Sequence, residues 1–147
     1  MKKRHFGVWV ALVVGAMGMV LTACGGKTDF ANLKLKDGTY QGHYRDEEDG
    51  ASASEVLVTL TIKDGKIDAC ESIEKLITAP AAKDESYGKN AGDQNYQKAQ
   101  IAVKGIRQYP QKLVEVQDPE KVDAISGATV SQKRFKAAVW DALNQAK

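Results

Sequence analysis

The alternation of apolar and polar residues predicts a small antiparallel sheet in the first half of the chain. It is clearest over residues 56–62, where β-branched residues dominate. Asp64-Gly65 follows, and this dipeptide between two alternating runs is a strong hairpin signal, so residues 66–73 are expected to return as the paired strand. A further strand is predicted over residues 39–44. The inward-facing positions of the clearest strand are Val56, Val58, Leu60 and Ile62.

In the second half of the chain, apolar residues recur at helical spacing. Steps of three and four over residues 94–108 predict an amphipathic helix, which Pro110 ends or kinks before residues 111–116 can supply another turn. A better-formed helix is predicted to begin near Ser131. Because strands come early and helices late, we expect an α+β fold, a small antiparallel sheet with helices packed on one face. The apolar stripe of the last helix consists of Phe135, Ala138, Val139, Ala142, Leu143 and Ala146.

Two features between and beside these elements are less regular. Residues 78–93 follow neither period and are interpreted as a loop. Trp140 lies off the stripe of the last helix, where it can cover a sheet edge, pack on a ligand ring or stay half exposed. Simple packing is favoured, because aromatic side chains serve cores more often than cofactors.

The amino terminus is typical of a bacterial export signal. Basic residues at 2–4 precede a run without charge over residues 6–21, and the small Thr22 and Ala23 stand directly before Cys24. This arrangement resembles the lipobox of lipoproteins, in which the cysteine is acylated and becomes the first mature residue. The alternative is an uncleaved membrane-spanning helix, since the run is long enough for one. The expected organisation is a signal peptide over residues 1–23, a tether over 24–36 and a domain over 37–147.

Charge and cysteine content change with this processing. Removing Lys2, Lys3 and Arg4 leaves 21 minus 3, or 18, basic residues against 19 acidic ones, so the net charge of +2 becomes −1. A nucleic-acid partner is therefore not expected, since such proteins carry clustered basic residues. With Cys24 acylated, Cys70 has no disulfide partner within the chain and is expected to be buried rather than reactive.

The sequence lacks the residues from which common catalytic sites are built. His43 is the only histidine after residue 5, so a metal cluster or a Ser-His-Asp site has little to be built from, and no catalytic residue is assigned. No P-loop or Rossmann glycine pattern occurs. The acidic residues 46–49 are interpreted as a solvated loop, with calcium binding as a weak second reading.

Residues 123–129, with the sequence Asp-Ala-Ile-Ser-Gly-Ala-Thr, are the strongest candidate for chemistry. Gly127 tolerates positive φ, Ala128 adds little bulk, and the N-terminus of a following helix attracts anions, so the segment can seat a phosphate. The alternative is a loop whose last hydroxyl, that of Thr129, caps the helix. Lys133 and Arg134, expected in the first helical turn, oppose the helix dipole there, and a bound phosphate would compensate for them.

This segment resembles the Asp-x-x-Ser-Gly-Ala-Thr motif of FMN-binding domains. The resemblance extends over residues 37–42, 61–67 and 87–96 and the last helix, as in a branch of Gram-positive lipoproteins. It implies that a flavin transferase joins FMN through its phosphate to Thr129. It also implies that Asp123, Ser126, Gly127 and Ala128 shape the turn that exposes this threonine.

The implied function is that of a lipid-anchored electron carrier on the extracytoplasmic face of the cell membrane. Its partners would be the flavin transferase, a membrane quinol-linked electron donor and an extracytoplasmic electron acceptor. The alternative is a lipoprotein binding module that holds FMN or another ligand noncovalently, without a redox role. Many family members carry a Glu-Thr-Pro-Gly loop against the flavin ring. Here residues 77–81 read Ile-Thr-Ala-Pro-Ala, and the loop around residues 87–89 is expected to take that place.

Overall fold

A computed structural model describes residues 30–78 and 81–147. The predicted signal peptide, the predicted lipidation site Cys24 and residues 79–80 lie outside the described residues. Short 3-10 turns occur at Phe30–Asn32, Gly50–Ser52 and Pro119–Lys121. The strands are β1 (Gly38–Asp46), β2 (Ser54–Lys63) and β3 (Lys66–Leu76), and the helices are α1 (Asp93–Ile106), α2 (Tyr109–Val116) and α3 (Thr129–Gln145).

The three strands form one antiparallel sheet in the order β1-β2-β3. The hairpin between β2 and β3 turns at Asp64 and Gly65, whose φ angles of 51° and 69° are those a tight two-residue hairpin turn requires. This confirms the predicted hairpin, although β3 continues three residues beyond its predicted end, to Leu76. Alternate residues of β2 are buried from Ser54 to Ile62, as the apolar pattern predicts.

Among the described residues, the core packing lies on one face of the sheet. Helix α3 packs against β1 and β2, and α2 packs against β3. The six apolar residues of the predicted α3 stripe are all buried. The predicted α+β fold, with helices on one face of a small antiparallel sheet, is therefore confirmed.

Two helix boundaries differ from the predictions. Helix α3 begins at Thr129, two residues before the predicted start, so the motif runs into the helix without a break. Pro110 lies in the first turn of α2, where the missing N–H costs no intrahelical hydrogen bond, and α2 therefore starts at Tyr109 rather than after the proline.

Residues 30–36, which the sequence analysis assigned to a tether, pack against the domain. Leu35 is buried in the core, and Phe30 and Leu33 pack on it. Phe30 also meets Trp140 edge to face, with ring centroids 6.5 Å apart. The Trp140 Nε1–H donates to Glu120 Oε1 at 2.9 Å, so this indole has the packing role that the sequence favoured.

No helix within the described part of the chain combines the length and the hydropathy needed to cross a bilayer.

Cys70 packs against the core from β3, and burial raises the pKa of its thiol to about 12. A thiol with this pKa stays protonated at neutral pH, and the thiolate is the reactive form. Cys70 is half-buried rather than fully buried as expected, and its raised pKa agrees with the expectation that it is not reactive.

A maleimide experiment on the Cys24→Ser protein, which keeps Cys70 as its one thiol, tests this environment. Raising a thiol pKa from 9.0 to about 12 lowers the thiolate fraction at pH 8. Labelling of the folded protein should therefore be roughly a thousandfold slower than labelling in denaturant. Equal rates in the two states would show that folding neither raises the pKa of this thiol nor shields it from the reagent.

Candidate functional site

Tyr109, at the start of α2, anchors the motif segment (residues 123–129) to the core. This side chain is 1% exposed, and its hydroxyl donates to the Ala128 carbonyl at 2.9 Å and accepts from the Ile125 N–H at 3.1 Å. Its ring stacks on Phe135 of α3, with centroids 5.8 Å apart. One buried hydroxyl therefore satisfies two backbone groups of the turn and fixes the turn to the core.

Gly127 and Ala128 are each required by the space around them. Gly127 has a φ of 83°, and a Cβ there would lie 2.7 Å from Ile101 Cγ2, so both conformation and contact demand glycine. Ala128 is buried against Gly105 of α1, where a Cβ on the glycine would approach the Ala128 Cβ to 2.5 Å. The small residues of the motif thus allow α1 and the turn to pack closely.

Thr129 is the first residue of α3, and its side chain is exposed. The residue that caps the helix is Ala128, and no side chain caps it. The alternative reading of Thr129 as the helix cap is therefore wrong, because the helix starts one residue too early for it. The hydroxyl stands at the uncapped N-terminus of a helix of 17 residues, where backbone N–H groups and the helix dipole favour an anion.

An open cleft of about 330 Å³ lies beside Thr129. Of the predicted site residues, Gly127, Ala128 and Thr129 line it, whereas Asp123 and Ser126 are exposed in the same segment outside its lining. The other walls come from the β1–β2 connection, the loop after β3, and α1 and α3. The remaining lining residues are Asp49, Ser52, Lys83, Tyr87, Ala102, Val130, Ser131 and Arg134.

A buried cluster of charges lies at one side of the cleft. Arg134 is 2% exposed and forms ion pairs with three carboxylates, at 2.9 Å to Asp46, 2.6 Å to Asp49 and 3.0 Å to Glu74. The Lys83 ammonium forms a second pair with Glu74 at 2.6 Å, between side chains that are 5% and 2% exposed. The hydrogen bond from Arg134 holds the pKa of the Asp46 carboxyl below its usual range.

This cluster corrects two expectations. Residues 46–49 are not simply a solvated acidic loop, because Asp46 and Asp49 neutralise Arg134. Arg134 lies in the second turn of α3, and its charge is already compensated, so it provides no argument for a bound phosphate. Both errors arise because a buried ion pair leaves no mark on local composition.

A groove of similar size, about 300 Å³, lies on the outer face of the sheet. Leu57 and Ile73 line it, and the motif residues do not. Among the described residues, no three or more His, Cys, Asp and Glu side chains are grouped so that they could hold a metal ion.

A family model described as an FMN-binding domain matches residues 51–144. The chain belongs to the FMN-binding domain family. This confirms the family that the motif indicated, and FMN is the cofactor of this domain.

Two solved structures are similar to this FMN-binding domain. The crystal structure of a protein from Clostridium perfringens is 24% identical, with 76% of this chain and 88% of that chain covered and a TM-score of 0.60. This likeness supports the fold. The solution NMR structure of a protein from Clostridium thermocellum is 27% identical, with 77% of this chain and 93% of that chain covered and a TM-score of 0.46. No curated protein matches the chain.

The residues around the cleft fit a flavin nucleotide. The volume of the cleft is at the lower end of the range for small-molecule sites, about 300–1,000 Å³. The N-terminus of α3 suits a phosphate, and Tyr87 offers an aromatic surface to a planar ring. Tyr87 lines this cleft, while residues 79–80 of the divergent segment lie outside the described residues.

Sequence reasoning missed two residues that build the site. Tyr109 looked like the residue before a helix-breaking proline, and its hydroxyl contacts are long-range, so no local pattern could reveal them. Lys83 stands in a run of loop-forming residues, and only the fold brings it beside Glu74.

Proposed function

We propose that FMN is attached to this domain through a phosphoester bond to Thr129, and that the protein is an electron carrier. The observation that supports this most directly is the position of Thr129. Its exposed side chain opens α3 beside the cleft and lies in the Ser-Gly-Ala-Thr sequence of a confirmed FMN-binding domain.

Three features of the chain favour attachment at the Thr129 hydroxyl. Gly127, with positive φ, and the small Ala128 bring the backbone of the turn close to α1 and leave the Thr129 side chain outside. Tyr109 fixes the turn from behind. The N-terminus of α3 stabilises the negative charge that remains on a phosphodiester. Asp123 and Ser126 are exposed on the same segment, where a flavin transferase can read them.

Attachment is a transfer of the FMN group from an activated flavin nucleotide. The bond between Thr129 Oγ and phosphorus forms, the bond from phosphorus to the leaving group breaks, and that group takes the hydroxyl proton. A bound flavin supplies one- and two-electron chemistry, while the protein supplies position and electrostatics.

The proposed location rests on the predicted signal peptide. We propose that Cys24 carries lipid after residues 1–23 are removed, which holds the domain at the extracytoplasmic face of the cell membrane. The residues between Cys24 and Phe30 would then separate the lipid from the packed domain. In this position the carrier would take electrons from a membrane quinol-linked donor and pass them to an extracytoplasmic acceptor.

The attachment is tested by coexpression with a flavin transferase. The parent protein should gain the mass of one FMN less one water and a yellow band that survives denaturation, and Thr129→Ala should lose both completely. Thr39→Ala, which removes an exposed threonine of β1 outside the cleft, is the matched control and should keep both.

Two other results would change the proposal. A band that persists in Thr129→Ala would refute Thr129 as the attachment site. Flavin that binds the parent protein but is released in denaturant would favour the noncovalent binding module.

A further inference from the structure

We propose that the Ser131 hydroxyl donates a hydrogen bond to the phosphodiester of the attached FMN, and that this phosphodiester is the cap that helix α3 otherwise lacks. This inference rests on the proposed attachment of FMN at Thr129. It assigns a binding residue beyond the Asp-x-x-Ser-Gly-Ala-Thr segment and gives the cofactor a structural role in the domain.

The first turn of α3 holds three backbone donors without an acceptor. The Ala128 N–H donates to the Ile125 carbonyl, and the Gln132 N–H donates to the Ala128 carbonyl, each at 2.9 Å. Between them, the N–H groups of residues 129–131 make no hydrogen bond within the described part of the chain. A side chain at the capping position normally accepts from such a group, but here that position is Ala128.

Ser131 adds a hydroxyl donor to these backbone groups. The residue is 6% exposed and lines the cleft beside Thr129, and its hydroxyl makes no hydrogen bond to any described residue. Among the described side chains, no nitrogen or oxygen is both sealed from solvent and unpaired, so this hydroxyl opens into the cleft. Buried polar groups normally have a partner, and an unpaired one that faces a cleft indicates a ligand.

The position of Ser131 in the helix directs its hydroxyl toward the same place. Ser131 is the third residue of α3, and side chains of a helix lean toward its N-terminus. From this position a side chain commonly bonds the N–H of the capping residue, but the Ala128 N–H already donates to Ile125. Thr129 and Ser131 line one cleft, so a phosphate on Thr129 Oγ that turns into the cleft faces the Ser131 hydroxyl.

The charges around the cleft are compatible with an anion at this point. Asp49 is the one carboxylate among the described residues that line the cleft, and it is paired with Arg134 at 2.6 Å. A phosphodiester carries one negative charge, which the N-terminus of a 17-residue helix favours. The oxygens of the phosphodiester that are not ester-linked can accept from the hydroxyl and from the free N–H groups together.

Phosphorus NMR of the FMN-loaded full-length protein tests the role of Ser131. FMN carries one phosphorus atom, and its resonance should shift in Ser131→Ala, because a phosphoryl oxygen loses a donor. Ser131→Thr, which keeps a hydroxyl, should restore the parent value. Ser72→Ala is the matched control, since it removes a serine of β3 outside the cleft lining, and it should leave the resonance unchanged.

Incomplete loading of a variant does not alter this comparison, because only loaded molecules contribute to the resonance. A resonance that stays at the parent value in Ser131→Ala would overturn the role of Ser131.

Amide hydrogen exchange of the parent protein, with and without FMN, tests the cap without any substitution. Loading should slow exchange at the Val130 and Ser131 amides about tenfold or more, as expected for a new hydrogen bond to a charged acceptor. The Gly65 amide, which donates to Asp37 outside the cleft lining, is the internal reference and should keep its rate. Equal rates at Val130 and Ser131 in the two samples would overturn the phosphodiester as the cap.

The mass of the adduct on the same samples separates the two proposals. An adduct at Thr129 with an unchanged phosphorus resonance in Ser131→Ala would leave the proposed function standing without this role of Ser131. Absence of the adduct from the parent protein would overturn the proposed function, and this inference with it.

Discussion

Replacing Gly42 with alanine is expected to destabilise the protein more than any other glycine-to-alanine change in the sheet. Gly42 is in the middle of β1, where α3 crosses closest, and a Cβ there would lie 1.9 Å from the Ala138 carbonyl oxygen and 2.7 Å from the Ala142 nitrogen. Both atoms belong to helix backbone, so relief requires α3 to move away from the sheet. We expect a loss of about 3 kcal/mol or more in the free energy of unfolding, the upper end of overpacking effects.

Chemical denaturation of the two proteins measures this change, and the melting temperature should fall by more than about 10 °C. Gly50→Ala is the control that separates the effect of a steric clash from the effect of backbone conformation. Gly50 has a φ of 52° but no atom within 4 Å of a Cβ, so alanine there should cost only the strain of a left-handed residue, about 1 kcal/mol. Equal losses in both variants would show that α3 yields easily and that contact with Gly42 does not fix the packing.

Gly42 also shows how far the sequence could predict this packing. The two-residue period places Gly42 on the same strand face as Tyr40, and a glycine within a strand suggests close approach of another backbone. The period of the last helix identifies its buried stripe, which includes Ala138 and Ala142. Neither pattern says which turn of the helix crosses which strand residue, because that depends on the angle and register of two distant elements.

The charged cluster was missed although part of its signal was present. Arg134 stands four residues before Ala138, so it occupies the buried stripe of α3. Glu74 gives no matching signal, because it lies seven residues after the buried Ile67, and the register shift opposite Thr61 and Ile62 changes which residues of β3 face inward. Lys83 gives no such signal, because its burial depends on a loop whose path is set by the hydrogen bond from its N–H to the Glu74 carbonyl.

The residues of the candidate site also divide into those that the sequence could identify and those that it could not. The residues of the Ser-Gly-Ala-Thr segment could be found from the sequence, since their roles depend on local conformation: positive φ at Gly127 and the helix start at Thr129. Tyr109 acts on that segment from elsewhere in the chain. Finding it required the fold, because its contacts are with residues far from it in sequence.

Replacing Arg134 with leucine is the second change for which we expect a large loss of stability. The substitution keeps an apolar stem on the buried face of α3 but removes three ion pairs at once. Breaking a buried pair by removing one partner costs about 3–5 kcal/mol, since the other charge stays buried without compensation. We expect the lower end of this range, about 3 kcal/mol, because Glu74 keeps its pair with Lys83.

Lys133→Leu is the matched control, one residue earlier on the same helix and exposed. It should change the free energy of unfolding by no more than about 0.5 kcal/mol. Comparable losses in the two variants would show that removing a helix charge, rather than the buried cluster, is responsible.

Acid provides a further measurement of the same cluster. Arg134 lowers the pKa of Asp46 in the folded protein, so the stability gained from this pair is complete above the ordinary value of 3.8. It is lost as the pH falls from there through the lowered pKa. In Arg134→Leu this contribution is absent at every pH. The difference in the free energy of unfolding between parent and variant should therefore narrow below pH 3.8 and stay constant between pH 5 and pH 7. A difference that is independent of pH down to acid unfolding would show that Asp46 does not depend on Arg134.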